Sequence, residues 1–249
     1  MYDICDMHSH ILPGIDDGCR TPQESVAVLK KMRNDGVTKI FATPHFYHSR
    51  GPVEEFLACR QASEEVLRAA LAEESQPVPA ICCGAEVAYF SGIADFEELS
   101  QLCLGKSRFL LLELPFAPWS GQVVRDVGNL CLQGFVPILA HFERYGGVQD
   151  RTMVRKILEF EPLVQMNAGR LLDVWKGRGA RSALKRDAVH LLGSDCHGLD
   201  RRPPQLGQAI ALLEKKKMHT ELARIEALSN EIFREACGGE DENCRQRID

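Results

Sequence analysis

Several familiar features are missing from this chain of 249 residues. No apolar run approaches the ~18 residues that a membrane-spanning helix needs; "FLLLELPF" is interrupted by Glu113, and "FVPILAHF" has the length of a strand. The opening, Met1-Tyr2-Asp3-Ile4-Cys5-Asp6, is acidic and shows no signal-peptide pattern. There is no basic surplus. The formal net charge is −5, which argues against nucleic acid or an anionic membrane as the main partner, although a local basic pocket is compatible with it. Ten cysteines include no C-x-x-C pair, and the chain is too long to be a small disulfide scaffold. They read as buried small hydrophobes in a reducing, cytoplasmic compartment. Internal repeats and low-complexity segments are also absent.

What is present alternates. Thr21-Pro22-Gln23-Glu24 is a capping box with proline at the first helical position, opening a helix that ends near Gly36. Extended patterns follow at 37–43, 78–87, 108–115, 135–142, 163–169 and 188–197, in addition to the opening "YDICDMH". Helical patterns separate them, at 53–74, 94–101, 120–133, 150–160, a basic stretch at 173–187, and 203–217 and 221–236 at the end. Apolar strands separated by helices imply a parallel sheet covered on both faces. Seven such units predict an α/β, (β/α)7 barrel-like fold. It ranks above an open doubly wound sheet because no Gly-rich dinucleotide fingerprint follows the first strand. One domain is expected over residues 1–236, with residues 237–249 as a frayed tail.

The chemistry-bearing residues collect where these strands end. The first strand ends with His8 and His10, followed by Asp16 and Asp17; the later ones end with His45, Glu86, Glu113, His141, Asn167, and Asp195 with His197. In a βα barrel those ends share one mouth, where active sites form. Residues i and i+2 of a strand face the same way, so His8 and His10 can reach one ion. A lone carboxylate between leucines, like Glu113, is costly to bury unless paired or metal-bound, and Glu86 poses the same problem. His8, His10, Asp17, His45, Glu86, Glu113, His141, Asp195 and His197 are more ligands than one zinc takes, and suit two or three divalent ions. All donors are N or O, favouring Mn, Fe or Zn, with Mg as a further candidate. Clustered divalent ions suit displacement at phosphorus. Arg144, three residues past His141, and Arg202, five past His197, supply guanidinium forks for phosphate oxygens. Phe46, Tyr47, Phe116, Trp119 and Tyr145 stand near strand ends and could stack on a substrate ring or pack the rim.

"DMHSHILPGIDDG", "ATPH", "GAE", "LLLELP", "PILAHFERY", "NAG" and "GSDCH…RRPP" together resemble the PHP superfamily (polymerase and histidinol phosphatase). More narrowly they resemble the bacterial manganese-dependent protein-tyrosine phosphatases of capsule and exopolysaccharide loci, the CpsB/CapC type. The resemblance runs from residue 3 to about 217. It implies a distorted seven-stranded, TIM-like barrel with three metal ions, manganese first among the candidates. His8, His10, Glu86 and Asp195 would hold one ion, and Glu86, Glu113 and His141 a second. Asp17, His45 and His197 would hold the third, with Arg144 and Arg202 on the phosphate. It also implies a tyrosine-phosphorylated tail of a cytoplasmic autokinase as substrate; an oligomer is left open.

Four competing readings remain at this point. Cys196 and Arg202 have the C-x5-R spacing of cysteine-dependent tyrosine phosphatases, but the loop carries Asp200 and a single glycine. A small-molecule phosphatase such as a histidinol-phosphatase would use the same metals. An amidohydrolase would place a bridging lysine where this chain has Glu113. A binding module would hold a metal and hydrolyse nothing.

Overall fold

The computed structural model describes residues 2–239, in which nine short strands and eight α-helices alternate. The strands are β1 (Asp6–Ser9), β2 (Lys39–Ala42), β3 (His45–Phe46), β4 (Ala80–Cys83), β5 (Glu86–Ala88), β6 (Phe109–Glu113), β7 (Val136–Leu139), β8 (Leu163–Asn167) and β9 (Leu191–Gly193). The helices are α1 (Pro22–Asn34), α2 (Val53–Ala72), α3 (Gly121–Leu132), α4 (Arg151–Leu158), α5 (Gly169–Leu172), α6 (Gly177–Lys185), α7 (Leu206–Lys215) and α8 (His219–Ala236). The fold is α/β, and every named strand pairing is parallel. One sheet runs β1-β2-β4 and a longer curled one β3-β5-β6-β7-β8-β9. Their ends meet where Asp195 N donates to His8 O at 2.7 Å and His10 N donates to Cys196 O at 3.0 Å.

Two expected strands are broken. The one at 37–43 ends at Ala42 and resumes as β3, because Pro44 has no N–H to donate to a ladder. The one at 78–87 is interrupted at Gly84, where a Cβ would stand 2.6 Å from Leu104 Cδ2. Beyond the breaks the two chains pair again, with His45 directly opposite Glu86. The strand at 188–197 shrinks to three residues, because the chain leaves extended geometry at Asp195, whose φ is 50°. The helix expected at 94–101 is a pair of 3-10 turns, Ile93–Asp95 and Glu97–Leu102. The basic helix is shorter than 173–187: α5 ends at Leu172, and α6 starts at Gly177. At the start of α1, Thr21 accepts from Glu24 N as expected, whereas Glu24 reaches back to Arg20 N rather than to Thr21. The frayed tail expected over 237–249 lies outside the described residues from 240 onward.

The core explains how the strands aim their ends. One face of the strands packs against helices: Ile40, Ala42, Val164, Met166 and Leu192 join α1, α6 and α7 in one cluster. The other face turns inward, where Cys5, Met7, Phe41, Leu111, Ile138 and Leu191 pack against Ile232, Phe233 and Ala236 of α8. Alternation then carries the inward face from apolar to polar. Leu111 is followed two residues on by Glu113, and Leu163 by Gln165 and Asn167. The apolar layer stabilises the fold, each fully buried Leu, Ile or Phe being worth about 1.5–3 kcal/mol. The polar layer above it is the candidate site.

Candidate metal centre

Glu86 lies at the middle of the polar layer, 1% exposed. Its Oε2 is 2.9 Å from His45 Nδ1, 3.2 Å from His8 Nε2 and 3.3 Å from His10 Nε2; its Oε1 is 2.9 Å from His141 Nε2. Glu113 approaches the same His141 nitrogen at 3.2 Å. Asp195 Oδ1 lies 3.8 Å from His8 Nε2, 3.6 Å from His10 Nε2 and 3.5 Å from His197 Nδ1. Asp17, half-exposed on its loop, reaches His197 Nε2 at 3.3 Å and His45 Nε2 at 3.6 Å. All nine residues singled out as ligand types therefore belong to one connected cluster. The remaining histidines lie elsewhere: His48 stacks on Phe90, His190 accepts from Val164 N, and His219 packs on Tyr2.

Backbone devices deliver these side chains. The β1–β2 register shifts between Asp6 and Ser9; His8 lies within that irregular stretch and His10 just after it, and both reach Glu86. His141 has φ 33° and Asp195 φ 50°, left-handed conformations that non-glycine residues adopt at a cost. Both stand where the strand alternation must be broken to aim a side chain into the cluster. Gly193 lets β9 lie close to β1, since a Cβ there would be 2.6 Å from His8 Cβ.

Four further residues hold the ligand types in place: Asp16 and Asn167, which the sequence sets at strand ends without a ligand role, and Asp6 and Gln165, which it does not single out. Asp16 Oδ2 accepts from His10 Nδ1 at 2.7 Å and from His45 N at 3.0 Å. Gln165 Oε1 accepts from His141 N at 2.7 Å and lies 3.3 Å from His8 Nδ1. Asp6, fully buried, accepts from His8 N and Ser194 N, tying β1 to β9. Asn167 Nδ2 donates to Asp195 Oδ2 at 2.7 Å. The signal for Asp6 and Gln165 in the sequence is faint: polar residues within apolar strands, with partners far along the chain.

The electrostatics are those of a strongly coupled anion–imidazole cluster. Burial alone would discharge Glu86, but the charge of His8 and the close imidazole nitrogens of His10, His141 and His45 hold it well below the usual carboxylate range. Burial likewise opposes a charged His10, yet Asp16 and Glu86 hold its ring up to about 10. Burial also opposes the ionisation of Asp195, but the charges of His8 and Arg144 bring it down to about 2. His197 is pushed down to about 4 by burial and by the charge of His10.

Part of this cluster is not satisfied by hydrogen bonding. Glu86 Oε2, His45 Nδ1 and His197 Nε2 are buried and make no directional hydrogen bond, although each has a partner atom within 3.3 Å. Lone pairs converging on the space between them fit a cation better than a proton. Three sets of donor atoms lie mutually within 4.8 Å: His8, His10 and Glu86; His10, His45 and His197; and His45, Glu86 and Glu113. By proximity, His10 joins His45 and His197 where the family pattern puts Asp17, and His45 joins the two glutamates where it puts His141.

Arg144 and Arg202 both pair with Asp195, Arg202 at 2.7 Å, instead of with Glu143 or Asp200. Of the five rim aromatics, Phe46, Trp119 and Tyr145 are core, at 2%, 5% and 2% exposed. Tyr47 and Phe116 remain accessible; Phe116 lies nearly parallel to the His141 ring with centroids 5.9 Å apart. Cys196 is fully buried, and burial together with the Asp6 charge pushes its thiol well up, the opposite of an activated thiolate.

The family described as capsular polysaccharide synthesis, CpsB/CapC, matches residues 4–232. The tyrosine-protein phosphatase CpsB of Streptococcus pneumoniae is 31% identical over 86% of this chain and 90% of its own length. The tyrosine-protein phosphatase YwqE of Bacillus subtilis is 26% identical over 93% and 94%. The crystal structures of YwqE and CpsB, described as metal-dependent tyrosine phosphatases, include a chain of the same fold, with TM-score 0.78 and 22% identity over 93% of this chain and 94% of that one. The chain is a member of the CpsB/CapC family.

Proposed function

We propose that the chain is a metal-dependent protein-tyrosine phosphatase whose substrate is the phosphotyrosine-bearing tail of an autokinase controlling capsule or exopolysaccharide synthesis. The observation that carries this reading is the unsatisfied, fully buried Glu86 Oε2 among three imidazole nitrogens at 2.9–3.3 Å. The relatives' activity, stated by their names and by the structural description, supports it. His8, His10, Glu86 and Asp195 would hold one ion, Glu86, Glu113 and His141 a second, and Asp17, His45 and His197 a third, with His10 and His45 close enough to exchange sets. Manganese is our first candidate, ahead of Fe, Zn and Mg. We also read the two sheets as one distorted seven-stranded barrel, β2 with β3 and β4 with β5 each being one interrupted strand. Residues 1–236 would form its single domain, working in the cytoplasm.

Divalent ions held by these sets would supply positive charge beside the phosphoryl oxygens and would bring the deprotonation of water toward neutral pH. The protein's own residues do the rest. Arg144 and Arg202, half-exposed at the rim, exchange Asp195 for the phosphoryl oxygens and hold the phosphate for in-line displacement. Gln165 and Asp16 keep the imidazoles in position through their outer nitrogens and neighbouring backbone. Phe116 and Tyr47 offer ring faces for the phenol. A tyrosyl oxygen, whose conjugate acid has a pKa of about 10, leaves without a strong general acid.

The test is metal analysis of purified protein, then turnover of a phosphotyrosyl peptide and of histidinol phosphate after chelation and restoration of each metal. Restored turnover of the peptide is expected. Preference for histidinol phosphate would replace the reading with that of a small-molecule phosphatase.

A further inference from the structure

A second surface stands apart from the histidine cluster. Residues 170–186 carry six cations and one acid, in a chain whose net charge is −5. The acid is already engaged: Asp173 Oδ1 accepts from Trp175 N and Lys176 N, both at 2.8 Å. That turn leaves Val174 and Trp175 87% and 89% exposed, two adjacent apolar side chains with almost no cover. α6 follows at once. It buries Gly177, Ala180 and Leu184, and with the end of α7 it borders a cavity of about 300 Å³. Arg178, Arg181, Ser182, Lys185, Lys216 and Met218 line this cavity, and no carboxylate does.

Cations around a cavity ask for clustered anionic oxygens. An exposed Trp–Val tip asks for an apolar or interfacial medium, where tryptophan is at home. An acidic peptide would satisfy the cations and leave the tip in water. A bilayer surface with anionic headgroups satisfies both, by the combination of apolar insertion and electrostatic attraction that holds peripheral proteins. No helix among the described residues is long and apolar enough to cross a membrane, so the attachment is to a surface. We propose that this face docks the protein onto an anionic membrane. Val174 and Trp175 enter the headgroup region, and Arg178, Lys185 and Lys216 meet lipid phosphates.

The experiment is vesicle co-sedimentation with phosphatidylcholine alone and with phosphatidylcholine containing phosphatidylglycerol, read together with tryptophan fluorescence. Trp119 is buried already, so a blue shift on vesicles reports Trp175. Binding is expected only to the anionic vesicles, with a blue shift, and is weakened by high salt. The R178Q/K185Q/K216Q variant is expected to bind about 100-fold more weakly, at roughly fivefold per cation near the surface. W175A is expected to sediment with vesicles at least roughly tenfold more weakly. Failure of the wild-type protein to bind anionic vesicles, equal binding to neutral ones, or an unchanged triple variant would overturn the proposal. So would capture of an acidic phosphotyrosyl peptide by this face without vesicle binding. Circular dichroism checks that the variants fold, and the wild-type comparison of the two vesicle types decides the matter without them.

Discussion

Replacing Glu86 with Gln is the sharpest perturbation of the candidate centre. The substitution keeps the shape of the side chain and removes its charge. Glu86 is 1% exposed, and its two oxygens lie 2.9–3.3 Å from nitrogens of His8, His10, His45 and His141. It belongs to two of the three donor sets that lie mutually within 4.8 Å. Two unit charges 4 Å apart at an effective dielectric of 20 interact by about 4 kcal/mol, roughly a factor of 1,000. A divalent ion carries twice that charge at a shorter distance, so the loss in affinity should be no smaller. E86Q should therefore lose ions from two sets together, and turnover of a phosphotyrosyl peptide should fall at least about 1,000-fold at fixed metal concentration. Metal-to-protein ratio after gel filtration in metal-free buffer, turnover across a metal titration, and a thermal melt of the metal-free protein separate loss of metal from loss of fold. A folded E86Q with wild-type metal content and turnover within tenfold of wild type would refute the convergence on Glu86.

R144Q and R202Q should each lower kcat/KM for a phosphotyrosyl peptide about 10- to 100-fold, the worth of a hydrogen bond to a charged group, with metal content unchanged. C196S should keep metal content and activity near wild type, whereas a chelator abolishes turnover; inactivation by C196S alone would revive the cysteine mechanism. His10 is held up to about 10 in the metal-free protein, against burial, by Asp16 and Glu86, so loading a metal expels its proton throughout the neutral range. Apparent metal affinity should fall about tenfold for each pH unit lowered, measured by titration at several pH values. The same raised pKa stabilises the metal-free fold fully below about 6.5, and that stability should fade as pH climbs toward about 10. G193A should place a Cβ 2.6 Å from His8 Cβ, prise β9 from β1, cost about 1–3 kcal/mol by denaturant unfolding, and weaken metal binding.

The site was legible in the sequence because strand alternation is strict and local. Glu113 sits two residues beyond Leu111 on the inward face, so an apolar run with a carboxylate at its end already says where that carboxylate goes. His45 and Glu86 were legible for the same reason, as polar residues closing apolar segments. What was hidden depends on partners or on backbone torsion. Gln165 matters because its Oε1 receives His141 N from a neighbouring strand, and nothing near residue 165 announces that. The left-handed turns at His141 and Asp195 leave no mark in residue type, since neither is glycine. The rim aromatics have the same composition whether they face a substrate or the core; only packing shows Trp119 donating to Pro115 O and Tyr145 to Leu114 O from inside.

The broken strands carry the largest lesson about how this sequence makes its site. An unbroken ladder through 37–43 and 78–87 would keep every backbone donor paired and every side chain in strict alternation. Pro44 and Gly84 interrupt it at the level where the ligand types begin, and pairing resumes with His45 opposite Glu86. The loss is small: Gly84 N still donates to Ala42 O at 2.9 Å and Glu86 N to Pro44 O at 3.0 Å, so only the N–H that Pro44 lacks is forgone, worth about 1 kcal/mol, and Arg60 donates to Gly84 O at 2.8 Å in its place. Across the break the two segments keep one register, Ala42 opposite Cys83 and His45 opposite Glu86, while β1 neighbours β2 below it and β6 neighbours β5 above it, so that His8, His10, His45 and His141 can converge on one carboxylate. The apolar layer beneath, closed by Phe233 and Ile232 of α8, supplies the stability that makes this loss tolerable. P44V, which restores one N–H opposite Gly84 O without changing the register that sets His45 opposite Glu86, should therefore leave metal affinity near wild type; a large loss of affinity, read by metal titration, would show that the proline itself aims His45.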